Sequence, residues 1–167
     1  MAHLKRSIIE VKADNNCFAH ALIIAIARMN KDPNYQSYRK GNKIRPVVAS
    51  FLETTGIDLT NGGGIPELIR FQEHFHEYKI VVYDGLRCDS ILFEGQVESC
   101  KLINLLFDDV NRHYHVITNL TGAVAKRYFC RACNKGCSHG VRHMCDQSCS
   151  EWMTNPPCAF VGVRILC

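Results

Sequence analysis

Apolar residues fall into two kinds of run along the chain. The first, CFAHALIIAIARM at 17–29, is rich in Ala, Leu and Ile and holds no Gly or Pro. Its length favours a buried helix over a strand. Asn15 and Asn16 stand just before it and offer polar N-cap chemistry, so Cys17 falls in the first helical turn. A second helix is predicted over 45–54, where Pro46 suits a first-turn position and Val47, Val48, Phe51 and Leu52 make an apolar stripe. After the breaker NGGG (61–64), a third is predicted from 65 to about 75, again with a proline, Pro66, near its start.

Beyond residue 77 the period changes. YKIVVYD (78–84), SILFEG (90–95), KLINLLF (101–107) and HYHVIT (113–118) are short, β-branched or aromatic, and separated by Gly, Asp and Asn. They predict strands. SIIEV (7–11) is a further short strand that could join them, and the polar stretch NKDPNYQSYRKGN (30–42) predicts an exposed connection. Helices first and strands later predict an α+β sandwich in which helices cover a mostly antiparallel sheet. No internal repeat or low-complexity tract interrupts this order.

Length and composition narrow the picture only modestly. At 167 residues, with 47% hydrophobic and 22% charged, the chain suits one globular domain with a small appendage. The expected division is a main domain over 1–125 and a tail over 126–167. A net charge of +4 is too mild to announce a nucleic-acid binder. The basic residues Lys126, Arg127, Arg131, Lys135, Arg142 and Arg164 nevertheless leave room for a weak nucleic-acid contact through the tail. No stretch approaches eighteen apolar residues, and the first sixteen residues lack the apolar core of a signal peptide. An intracellular monomer without membrane contact is the expectation.

The ten cysteines are unevenly placed: Cys17, Cys88 and Cys100 are scattered, and seven crowd into 130–167 with two histidines. That crowding favours metal ligation over disulfides. Cys130-x2-Cys133 forms a knuckle that can present two thiolates to one tetrahedral zinc ion. The set completed by His143 and either Cys145 or Cys149 is the first choice. Cys145 would make a tight chelate with His143, whereas Cys149 gives a spacing closer to common fingers. A second ion on Cys137, His139, Cys149 or Cys158 is the lesser alternative. Such a closed site would be structural, folding a tail too short for its own core.

Cys17 carries the sharper chemistry. A thiol at a helix N-terminus sees the positive end of the macrodipole and unpaired N–H groups, which favour thiolate and can hold an oxyanion. A cysteine in this position also serves commonly as a small buried hydrophobe. Nucleophilic use requires a histidine base brought in by the fold. His20 lies on the same helix, where a surface or core-edge role is expected. His113 and His115 begin the last predicted strand and would project to one face. They are the better candidates. NGGG lacks the lysine and spacing of a phosphate loop, His74 and His76 suit an exposed helix end, and Cys88 and Cys100 have no partner pattern.

DNNCFAHAL resembles the D-G-N-C-L-F-R-A box of the ovarian tumour (OTU) family of cysteine proteases, and NRHYHVIT resembles that family's late H-Y-D/N box. More closely, the run through IPELIRFQ, YKIVVY, ILFEG and HYHVITNLTGAVAKRYFCRACNKG is similar to the N-terminal region of protein-primed family B DNA polymerases of Maverick/Polinton transposons. There an OTU-like segment precedes a Cys/His zinc module. The resemblance spans about residues 7–150, and no polymerase motif is present.

The resemblance implies a papain-like/OTU-like sandwich with a zinc module after it. It makes Cys17 the nucleophile and His113 the general base, and puts Asp14 in the turn that shapes the oxyanion hole. Asn15 stands where the family has glycine, and Asn visits left-handed backbone more readily than most residues. His115 stands where the family commonly has Asp or Asn. Three arrangements are open: His115 orients His113, another side chain such as Asn119, Asp108 or Asn111 does so, or the site is inactive. The implied activity is a thiol isopeptidase acting on ubiquitin, ubiquitin chains or ubiquitin-like conjugates. The rivals are a non-catalytic polymerase accessory module that binds DNA or protein, and a polyprotein-processing cysteine protease.

Overall fold

The computed structural model describes residues 6–130 apart from Asp14, Leu86, Asp89 and Arg127, together with the backbone of a short strand at 135–137. In chain order the elements are β1 (Ile8–Ile9), α1 (Cys17–Met29), α2 (Tyr35–Arg39), α3 (Ile44–Thr55), α4 (Ile65–His74), β2 (Lys79–Asp84), β3 (Ser90–Glu94), β4 (Leu102–Asp108), β5 (His113–Ile117), α5 (Leu120–Val124), β6 (Tyr128–Cys130) and β7 (Lys135–Cys137). The first ten build an α+β body, and β6 and β7 pair as a separate two-stranded sheet.

Five strands make an open sheet in the order β1-β5-β4-β2-β3. The sheet is mixed. Its β1/β5, β5/β4 and β2/β3 neighbours run antiparallel, as the sequence predicts, but β2 and β4 run parallel. The reason is topological: β3 folds back on one edge of β2, the chain reverses again, and β4 takes the other edge of β2 in the same direction as β2 itself.

Strand alternation divides the interior in two. Ile80, Val82, Ile103, Leu105, Tyr114 and Val116 face a large core shared with α1, α3 and α4. Val81, Tyr83, Leu106 and Ile117 face the opposite side, where Leu120 and Ala123 of α5 cover them. α1 is buried nearly all round, from Phe18 through Ala27, which is why its sequence shows an apolar block instead of a stripe. Helix α4 is started by Glu67, whose carboxylate accepts the Gly64 N–H at 2.8 Å, with a proline in its first turn.

One polar side chain ties helix to sheet. Gln72 of α4 is buried, donates to the carbonyls of Phe75 and Tyr78 at 3.0 and 2.8 Å, and accepts the Ile80 N–H at 2.8 Å. The connection predicted to be exposed at 30–42 contains α2, whose Tyr38 turns into the core. No helix among the described residues is long and apolar enough to cross a membrane.

Candidate active site

Asn16 opens α1 by backbone conformation. It adopts φ 58°, ψ 29°, and its side chain makes no cap hydrogen bond. The left-handed residue is therefore Asn16, next to the cysteine, and not Asn15, where the sequence motif places that tolerance. The Asn16 carbonyl instead gathers two groups of His20, its backbone N–H at 3.1 Å and its ring Nδ1 at 3.0 Å. His20 is buried and braces the turn. The Asn16 side chain caps none of the first-turn N–H groups, and one of them, that of Phe18, is turned to the Cys17 sulfur.

The partner histidine is delivered by a tight turn. Asp108, at the end of β4, accepts the N–H groups of Val110 and Asn111 through Oδ1 at 3.1 and 3.3 Å, and the Asn111 side-chain amide through Oδ2 at 2.6 Å. The chain reverses through Arg112 at φ 51°, and His113 lands opposite Asp108 in the β4/β5 register. β1 pairs β5 only at Val116 and Ile117, so the beginning of β5 keeps an edge that β1 does not cover. His113, the first residue of β5, is the partner of Cys17.

Their electrostatics are mutual. Burial of Cys17 opposes its ionisation, but hydrogen bonding and charge from His113, with the main-chain N–H groups of Tyr114 and Phe18, hold the thiol below its ordinary range. The hydrogen bond with Cys17 raises His113 above an ordinary imidazole; burial opposes this, and the thiolate's charge, the Val11 contact and Asp108 add to the rise. Each partner thus favours the charged form of the other. The arrangement shifts both groups toward a thiolate–imidazolium pair.

The third position is occupied by backbone. His113 Nε2 lies 2.8 Å from the carbonyl oxygen of Val11 and donates to it, since a carbonyl can only accept. That contact leaves Nδ1 for the sulfur. His115 makes no hydrogen bond to the His113 ring. The two rings stand side by side with centroids 4.9 Å apart, and His115 Nδ1 accepts the Val11 N–H at 3.3 Å. Asp108 and Asn111 bind one another, and Asn119 caps α5 by accepting the Gly122 N–H at 3.0 Å. None of these side chains is hydrogen-bonded to the His113 ring. The sequence does not point to Val11, because a carbonyl oxygen has no residue signature.

A second wall comes from the glycine loop before α4. Tyr114 donates its hydroxyl to the Gly63 carbonyl and packs on Phe18 at 4.9 Å between ring centroids. A side chain at 63 would bring Cβ to 3.0 Å from that of Phe18, so glycine lets the loop lie close to the helix that carries Cys17. Burial raises the Tyr114 hydroxyl to about 12, helped by negative charge at Cys17 and Glu67, so it remains a donor. On the other side of the turn a cavity of about 370 Å³ is lined by Ala13, Asn15, Asn16, His20, Arg45 and Val48, among others.

The remaining candidates divide by location. Asp14, Cys133, His143, Cys145 and Cys149 lie outside the described residues, as do His139 and Cys158, and of the Cys137 side chain nothing is described. Cys130 closes β6 and is buried. His74 and His76 are exposed. Among the described residues no group of three or more His, Cys, Asp or Glu side chains is arranged to hold a metal ion. Compared with protein-family models, curated proteins and solved structures, the chain finds no match.

Proposed function

We propose that this chain is an OTU-like thiol hydrolase that releases ubiquitin or a ubiquitin-like protein from an amine. The observation that carries this reading is the mutual stabilisation of Cys17 and His113 at the start of a helix and a strand. The substrate class comes from the resemblance of DNNCFAHAL and NRHYHVIT to the OTU boxes.

In the reaction the Cys17 thiolate attacks the carbonyl carbon of the conjugate, and the oxygen takes the electron pair. First-turn N–H groups of α1 would stabilise that oxyanion. As the C–N bond breaks, His113 gives its Nδ1 proton to the leaving amine, and the acyl group stays on sulfur as a thioester. His113, now neutral, takes a proton from water as the water adds to the thioester. The C–S bond then breaks, releasing a carboxylic acid and restoring the thiolate–imidazolium pair. Throughout, the Val11 carbonyl holds the ring by Nε2–H.

A structural zinc site belongs to the same proposal. Thiolate and imidazole donors at Cys130, Cys133, His143 and Cys145 or Cys149 suit zinc chemically. Bound there, the ion would organise the tail and supply no step of the hydrolysis. The binding-module reading draws its support from the missing carboxylate at 115, whereas the Val11 carbonyl as an acceptor for His113 supports the hydrolase reading.

The test is reaction of the purified protein with ubiquitin bearing a C-terminal thiol-reactive warhead, read by intact mass. One adduct is expected, lost in Cys17→Ala and in His113→Ala. A folded protein that forms no adduct would overturn ubiquitin as the substrate, and an adduct surviving Cys17→Ala would overturn the nucleophile.

A further inference from the structure

Residue 11 lies between two imidazoles. Its carbonyl oxygen accepts from His113 Nε2 at 2.8 Å, and its N–H donates to His115 Nδ1 at 3.3 Å. In extended backbone these two groups of one residue point the same way, so two rings spaced i, i+2 on β5 grip it as a neighbouring strand would. The Val11 side chain is 3% exposed and is anchored in the main core, and His115 is 5% exposed. Nothing in the proposed reaction uses His115. Yet the acceptor that orients His113 is held partly by His115, and a histidine can serve there only when Nδ1 carries no proton.

We propose that His115 is a positioning residue that acts through Val11: its unprotonated Nδ1 holds the residue whose carbonyl aligns the His113 ring toward Cys17. The inference rests on the thiol-hydrolase reading and deepens it by adding control through proton uptake at a site that never touches substrate. Protonation of His115 would turn its acceptor into a donor facing the Val11 N–H, and the two would repel. The groups facing this ring are His113 beside it on β5, Asp108 on β4 and Glu10 next to Val11, with the Cys17 thiolate beyond His113 on α1. Burial and the His113 charge hold His115 below the ordinary imidazole range, and Asp108 and Glu10 only partly offset them. The acceptor is therefore in place at neutral pH and lost on acidification.

Two substitutions separate the acceptor from the bulk. Asn places its oxygen where His carries Nδ1, and Leu has the branching of Asn without an acceptor. The experiment is the pH dependence of Cys17 alkylation by iodoacetamide, read site by site through peptide mass mapping, on protein whose fold is checked by circular dichroism. It needs no substrate. Wild type and His115→Asn should both alkylate rapidly well below the ordinary thiol range. His115→Leu should lose about tenfold in rate at pH 6 for each unit by which the thiol rises. His115→Asn, which cannot titrate, should keep its activation to lower pH than wild type.

A folded His115→Leu with the wild-type profile overturns the role of His115 and leaves the Cys17–His113 pair standing. An ordinary thiol profile in wild type overturns that pair, and this role with it. Should His115→Leu fail to fold, His115→Asn decides: loss of activation, or an acid limb identical to wild type, refutes the proposal.

Discussion

Replacing Asp108 tests how the fold delivers His113. The carboxyl is 7% exposed and accepts three hydrogen bonds inside a turn of four residues. Asp108→Ala removes all three. The short bond from the Asn111 amide is charge-assisted and the two main-chain bonds are longer, so the sum is about 2–3 kcal/mol net. For a chain of this size that corresponds to a fall in Tm of about 4–12 °C. Asp108→Asn keeps an oxygen for the Val110 and Asn111 N–H groups and should cost about 1 kcal/mol.

Charge adds a pH signature to the same experiment. Burial opposes ionisation of Asp108, but the Asn111 and Val110 donors outweigh it and hold the carboxyl below its ordinary range. A folded-state pKa below the unfolded one contributes stability that is present above about pH 4 and lost as pH falls through the folded value. The gap between wild type and Asp108→Ala should therefore narrow from pH 5 to pH 3. Urea midpoints of the three proteins at pH 7, 5 and 3 give the answer. A loss below about 0.5 kcal/mol at pH 7, or a gap unchanged at pH 3, would refute the account of the turn.

Other consequences can be measured alongside. Because Cys17 is lowered and His113 raised, kcat/KM on a fluorogenic ubiquitin derivative should be bell-shaped, with its acid limb below the ordinary thiol range and its alkaline limb above the ordinary imidazole range; a single rise at an ordinary thiol pKa would contradict the pairing. Gln72→Leu strands the Ile80 N–H and two carbonyls and should cost about 2–4 kcal/mol. A Cβ at Gly95 would fall 1.8 Å from Gln72 Oε1, so Gly95→Ala should also destabilise, and the double variant should lose less than the sum of the two. Strict additivity in chemical denaturation would show that the two residues do not share one contact.

Elements with strong local signals are legible in the amino-acid sequence. The block at 17–29 becomes α1 with the same bounds, and the four strand runs between 78 and 118 become β2 to β5 within a residue or two. What the local pattern does not carry is non-local. The parallel β2/β4 pairing depends on where β3 lies, which no local period encodes. α2 is hidden in a polar stretch because only Tyr38 is buried by it, and α5 because five residues carry too little period. At the site, Cys17 and His113 are visible as residue types in motifs, and their pairing rests on geometry. The role of Val11 is not visible, since any residue offers a carbonyl. That His115 bonds to Val11 and not to the His113 ring is seen only in the contact of its Nδ1 with the Val11 N–H.

The two-residue strand β1 has a bearing on folding order. Every other pairing in the five-stranded sheet joins segments within about forty residues of one another, whereas Ile8 pairs with Ile117 and Val11 bonds to residues 102 and 104 positions away. Contacts of such separation bear the largest closure entropy and tend to form late. The docking consists of two residue pairs, the Thr118 N–H and hydroxyl on the Ser7 carbonyl at 2.8 and 3.0 Å, the two Val11 contacts, and the burial of Ile8, Ile9 and Val11. A chain with its helices packed and β2 to β5 assembled, but with 7–11 undocked, would be native by circular dichroism and would lack the acceptor for His113. Local opening of that segment would remove the acceptor while leaving the other elements in place, so Cys17 reactivity would report completion of folding more sensitively than secondary structure does.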